Sequence, residues 1–149
     1  MSRTTTPAPV ATALHAVLAD TYALAVKTHG AHWNVTGDLF FSLHAAFGDQ
    51  YEALFEAADD LAERLRALGA KAPAGLRALQ AAATIKDAEV EDGTTLAKVL
   101  RDDHRALSKA CAKAVAVAQE AGDEATADLL IGRIEAHDKT AWMLDATVR

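Results

Sequence analysis

Apolar residues recur along most of this chain at intervals of three and four, the spacing that lines them up on one face of an α-helix. Val10, Leu14, Val17, Leu18, Leu24 and Ala25 form a first stripe and predict a helix from about Pro9 to Asn34, interrupted at Gly30. Phe40, Phe41, Phe47, Tyr51, Leu54, Phe55, Leu61, Leu65 and Leu68 form a second, in a segment from Asp38 to Leu68 without proline and with Gly48 as its only interior glycine. Thr36-Gly37-Asp38 turns the chain between the two, with Asp38 placed to cap the second helix and Gly69 placed to end it. A third long helix is expected from about Thr94 to Ala121, carrying Leu96, Val99, Leu100, Leu107, Val115 and Val117. Gly122 stops it, and Asp123 caps a fourth that continues to about Thr147.

The prediction is therefore an all-α chain, a four-helix bundle over residues 9–149 behind a short polar tail, residues 1–8. The connection from Gly69 to Gly93 is about 25 residues long, too long to stay structureless in a compact domain, so a short helix is expected near Gly75 to Ala81. Its length also bears on topology. It lets the chain cross the bundle and start the third long helix parallel to the second.

Composition narrows the function. Hydrophobic residues make up 51% of the chain, enough for a core, and six of the eight aromatics fall between Trp33 and Phe55. The net charge of −6 argues against a broad basic surface for nucleic acid and suits a protein that attracts cations. One cysteine, Cys111, excludes an internal disulfide and fits a reducing, cytoplasmic compartment. No uninterrupted apolar run approaches a membrane span, and the first ten residues lack an apolar signal core.

The candidate chemistry lies in residues 29–69. His32 and His44 stand twelve residues apart, and Asp59 with Glu63 forms a carboxylate pair at i, i+4, on one face of a helix. Two imidazoles and two carboxylates suit a divalent metal with open positions, iron(II) among the candidates. If residues 38–68 form one straight helix, His44 lies about 22 Å from Asp59 along its axis, so one chain does not bring both to the same ion. Either the four residues are not one site, or a second copy completes it. An antiparallel pairing of this helix with its two-fold mate, centred near Tyr51 and Glu52, brings His44 of one chain beside Asp59 of the other and makes two equivalent sites.

The pattern His32-Trp33-Asn34-Val35-Thr36-Gly37, Phe40 with His44, Asp59 with Glu63-Arg64, and Leu68-Gly69 resembles the Dps proteins, mini-ferritins named as DNA-binding proteins from starved cells. The resemblance runs from about Val10 to Thr147. It implies a ferritin-like four-helix bundle and a dodecameric cage built from two-fold dimers. It also implies a ferroxidase that oxidises iron(II) with hydrogen peroxide at inter-subunit di-iron sites and stores ferric iron, sparing the cell and its DNA oxidative damage. His32, Asp59 and Glu63 would hold the first iron, and His44 with a bridging Glu63 would bear on the second. Zinc should compete. Trp33 would quench oxidising equivalents, and Asp123, Glu124 and above all Asp128 would line a pore for iron entry. The chain departs from the family at Gly48, where a carboxylate usually follows the second histidine by four residues. Weaker iron binding on the His44 side, or substitution by Glu52 or water, is expected.

DNA binding is expected to be weak or absent. Residues 1–10 offer only Arg3 and the C-terminus only Arg149 beyond Lys139, so phosphate contacts are few and salt-sensitive. A gel shift near 150 mM salt checks this, and sub-micromolar affinity there would contradict it. The alternative reading is a structural nucleoid-compacting protein whose metal site only organises the dimer. His29 is placed beside the metal ligands, and His15, His104 and His137 are read as surface or structural.

Overall fold

The computed structural model describes residues 7–149, so nearly all of the expected tail lies outside the described residues. The helices are α1 (Ala8–Asn34), α2 (Phe40–Ala67), α3 (Leu76–Ala82), α4 (Gly93–Glu120) and α5 (Glu124–Thr147). Among the described residues the only extended pairing is a single parallel bridge between Thr36 and Asp92. The fold is all-α, a four-helix bundle with the short α3 inside its long crossover.

That bridge fixes the topology. The Thr36 amide donates to Glu91 O (2.8 Å) and the Gly93 amide to Thr36 O (3.1 Å), which clamps the start of α2 to the start of α4. Both helices therefore leave from the same end and run parallel, with α1 and α5 as their short-loop partners. Glycine is required at the clamp. A Cβ on Gly93 would lie 2.9 Å from Leu43 Cδ1 and 3.3 Å from Thr36 O. The crossover is held from its other side by Asp20, buried on α1, whose carboxylate accepts from the Thr84 amide (2.6 Å), the Thr84 hydroxyl (2.7 Å) and the Ile85 amide (3.1 Å).

Helix ends follow local chemistry. Gly69 (φ 88°) and Gly122 (φ 73°) adopt the left-handed conformation just past α2 and α4. Ala70 N–H then reaches back to Leu65 O and Asp123 N–H to Ala118 O, satisfying carbonyls the helices leave open. Asp92 caps α4 by accepting from the Thr95 amide and hydroxyl, and Asp123 caps α5 through Thr126. Two expectations are corrected. Asp38 does not cap α2: the helix starts after Leu39 with no side-chain cap, because Gly37 (φ 103°) turns the chain and the Phe40 amide bonds back to Gly37 O. Gly30 does not interrupt α1, which continues unbroken to Asn34.

The core divides into two apolar clusters, one around Leu24, Phe47, Leu54 and Leu100, the other around Leu14, Leu61, Leu65 and Leu130. By length and composition α1 would suffice to cross a membrane, with a mean hydropathy of 1.3 over its most apolar window. Here it is the central helix: Leu14, Leu24, Ala19 and Ala25 are fully buried against its neighbours.

Candidate metal centre

His32 lies in the last turn of α1 and His44 in the second turn of α2, and the five-residue turn between these helices folds one onto the other. The rings stack nearly parallel, 3.9 Å between centroids and 14° between planes. Each ring is fixed by the other's backbone: His32 Nδ1 lies 2.6 Å from His44 O, and His44 Nδ1 lies 2.7 Å from His32 O. A carbonyl oxygen only accepts, so both Nδ1 atoms carry the hydrogen. Both Nε2 atoms are left with free lone pairs, the form of imidazole that binds a metal, with the orienting bond already made.

Aromatic side chains build the wall around this pair. His29 stacks on Tyr51 with centroids 4.0 Å apart and lies at the same separation from Trp33, which is 65% exposed. Phe40 stacks on His44 at 5.1 Å. Gly48 matters because of the neighbouring ring. A Cβ there would stand 3.2 Å from His32 Cε1 and 3.3 Å from Nδ1, tighter than an ordinary contact.

Asp59 and Glu63 are exposed on the far half of α2, which runs unbroken from Phe40 to Ala67. The two halves therefore stand apart along one continuous helix, and no three metal-binding side chains meet among the described residues. The arginines that could neutralise Glu63 are engaged elsewhere. Arg64 donates to Asp123 Oδ1 and Thr126 Oγ1, both at 2.9 Å, and Arg66 donates to Ala70 O. Glu63 and Asp59 form no ion pair among the described residues. Glu52, Glu56 and Asp60 are exposed on the same helix.

The carboxylates at the start of α5 differ in use. Partial burial raises the Asp123 carboxyl, but its bonds from Thr126 and Arg64 outweigh this and hold it below its usual range. Asp123 is thus a structural cap and ion-pair partner. Glu124 and Asp128 are exposed.

A different histidine pair shows no motif in the sequence. His104 on α4 and His137 on α5 are buried, with their Nδ1 atoms 2.9 Å apart. Burial, reinforced by Arg133, holds His104 near a pKa of about 4, and burial with the neighbouring His104 and Arg133 takes His137 to about 2. Both are neutral at pH 7. A signal for them was present in the sequence. His104 continues the stripe Leu100, Leu107, Cys111, and His137 continues Leu130, Ile134, Ala141, Leu144, so both occupy core positions.

A model of the ferritin-like domain matches residues 11–149. The DNA protection during starvation protein of Brevibacillus brevis is 38% identical over 138 residues, spanning 92% of this chain and 93% of the relative. The chain belongs to the Dps family. The solved Dps protein from Bacillus brevis superposes with a TM-score of 0.91 at 37% identity, covering 94% of this chain and 95% of that one. The Dps protein from Vibrio cholerae O1, described as one of a broad superfamily of ferritin-like diiron-carboxylate proteins, gives a TM-score of 0.90 at 34% identity, with 94% and 89% coverage.

Proposed function

We propose that this Dps protein oxidises iron(II) with hydrogen peroxide at sites shared between two-fold-related subunits and stores the ferric product in a dodecameric cage in the cytoplasm. The observation that carries the reading is the reciprocal Nδ1–carbonyl lock, which fixes both rings and leaves the two Nε2 atoms without a hydrogen-bond partner among the described residues. His44, Gly48, Phe55, Asp59 and Glu63 succeed one another at spacings of three to four or their sum, so they share one face of α2. A two-fold mate laid antiparallel along that face brings the imidazoles of one chain to the carboxylates of the other.

The chemistry follows from the donors. Anionic oxygen stabilises iron(III) more than iron(II), so moving from an aqueous to a mixed imidazole–carboxylate environment favours oxidation. Glu63 has the reach to bridge two ions, with His32 and Asp59 on the first and His44 on the second. Two iron(II) ions give one electron each to a single peroxide. Its O–O bond breaks, and with two protons two waters leave, so no hydroxyl radical is released. We infer that Trp33, exposed and next to His32 in the chain, takes a stray oxidising equivalent.

Turnover tests the reading. With excess peroxide the assembled protein should oxidise many iron(II) ions per chain, and zinc, which generally binds N/O sites more tightly than iron(II), should inhibit. A metal site that only organises the dimer would fill once and stop, and indifference to zinc would count against the shared centre. In the same assay Asp128→Asn should slow iron uptake if Glu124 and Asp128 line the entry pore.

A further inference from the structure

A second polar site lies on the other side of α2. A cavity of about 160 Å³ opens between α2, α4 and α5, lined by Asp49, Gln50, Leu54, His104, Arg133 and His137 among others. Three buried polar atoms on that lining have no hydrogen-bond partner: Gln50 Oε1, His104 Nε2 and Arg133 Nε. Buried polar groups left open in this way cost stability unless something fills them.

The hydrogens can be assigned. Arg133 Nη2 lies 3.4 Å from His137 Nε2, and a guanidinium only donates, so His137 Nε2 is the acceptor and its Nδ1 carries the hydrogen. That hydrogen points to His104 Nδ1, 2.9 Å away, which must then accept. His104 is left with its hydrogen on Nε2, a donor buried in a residue only 2% exposed. The lining therefore carries both an unsatisfied imidazole N–H and an unsatisfied guanidinium N–H. Gln50 supplies a third donor when its amide is turned, since oxygen and nitrogen of the amide exchange without cost in shape.

Charge favours an anion over water alone. Arg133 is mostly removed from solvent, and burial lowers its affinity for the proton, yet no carboxylate lies within ion-pair distance among the described residues. Asp60 acts on it only at longer range. Cys111, also near, is a thiol whose pKa burial raises to about 11, so it is neutral at pH 7 and no counter-ion. Asp49 stands exposed on the lining and opposes an anion, which sets the affinity low rather than high.

We propose that this cavity binds a small oxyanion, of which inorganic phosphate is the representative, held by Arg133 and the His104 Nε2–H. The volume admits such an ion with one or two waters, each of which takes about 30 Å³ in the liquid. Planar, charge-assisted donation from arginine is the recurrent way proteins hold phosphate.

The test is calorimetric titration of iron-free assembled protein with inorganic phosphate, in a chloride buffer. Wild type should show saturable binding of one phosphate per chain. Arg133→Gln should weaken it by about tenfold or more, because a charge-assisted pair is lost. Arg133→Lys should fall between the two. Absence of saturable binding by the wild type would overturn the proposal, and so would undiminished binding by a folded Arg133→Gln protein. Should that variant fail to fold, crystals of the wild type grown in phosphate decide: an ion on Arg133 and His104 supports the proposal, and water alone bridging His104 and Gln50 overturns it.

Discussion

Glu63→Gln should lower the initial rate of peroxide-driven iron(II) oxidation by about a hundredfold, while the cage assembles as before. The amide keeps the shape of the side chain but removes the charge that favours iron(III) and the second oxygen that bridges. Assembly should be spared because the amide keeps the size of the side chain, and Glu63 forms no ion pair among the described residues for the change to break. Stopped-flow absorbance of the ferric product gives the rate, and light scattering gives the assembly. A variant that keeps more than half the wild-type rate would remove Glu63 from the chemistry.

Gly48→Asp should tighten the weaker of two iron(II) sites by about tenfold, the gain expected from one added anionic ligand worth near 1.4 kcal/mol. Anaerobic titration of the wild type should show two unequal affinities per centre, and the variant should bring them closer. The gain is bounded by sterics. The new Cβ starts 3.2 Å from His32 Cε1, so the ring must yield by a few tenths of an ångström. That ring is held by its bond to His44 O, so a larger shift would loosen the lock that presents both Nε2 atoms. Equal affinities in the wild type would show that nothing was missing at Gly48.

Much of this was legible in the sequence because it is local. The apolar stripes placed the helices to within a few residues, and Gly69, Gly122 and Asp123 marked their ends through chemistry that acts over one turn. The long crossover suggested the parallel start of α2 and α4, and the Thr36–Asp92 clamp is how the fold achieves it. The capping of α2 was misjudged because Asp38 has the right side chain at a place where the turn at Gly37 already satisfies the helix start. The His104–His137 contact and the Asp20 latch were missed for a different reason. Each joins residues 33 or 64 positions apart, and such contacts exist only once helices pack. Their one trace was a polar residue standing in an apolar stripe.

The candidate site shows the same division. Its residue types and spacing were readable as a candidate metal set, and the continuity of α2 from Phe40 to Ala67 keeps His44 apart from Asp59 and Glu63 along one helix. The mutual lock of His32 and His44 was not readable, since it depends on backbone carbonyls brought together by the α1–α2 turn.

The most direct test of the shared centre is complementation between subunits. One variant carries His32→Ala with His44→Ala, the other Asp59→Asn with Glu63→Gln. Each alone should be nearly inactive. When the two are unfolded together in equal amounts and reassembled, random pairing makes about half of the two-fold dimers mixed, and each mixed dimer has one intact centre and one doubly defective centre. The sharing of ligands across the two-fold therefore predicts recovery of about a quarter of the wild-type rate. Reassembled mixtures that stay as inactive as their parents, with mixed dimers verified by mass spectrometry, would contradict it.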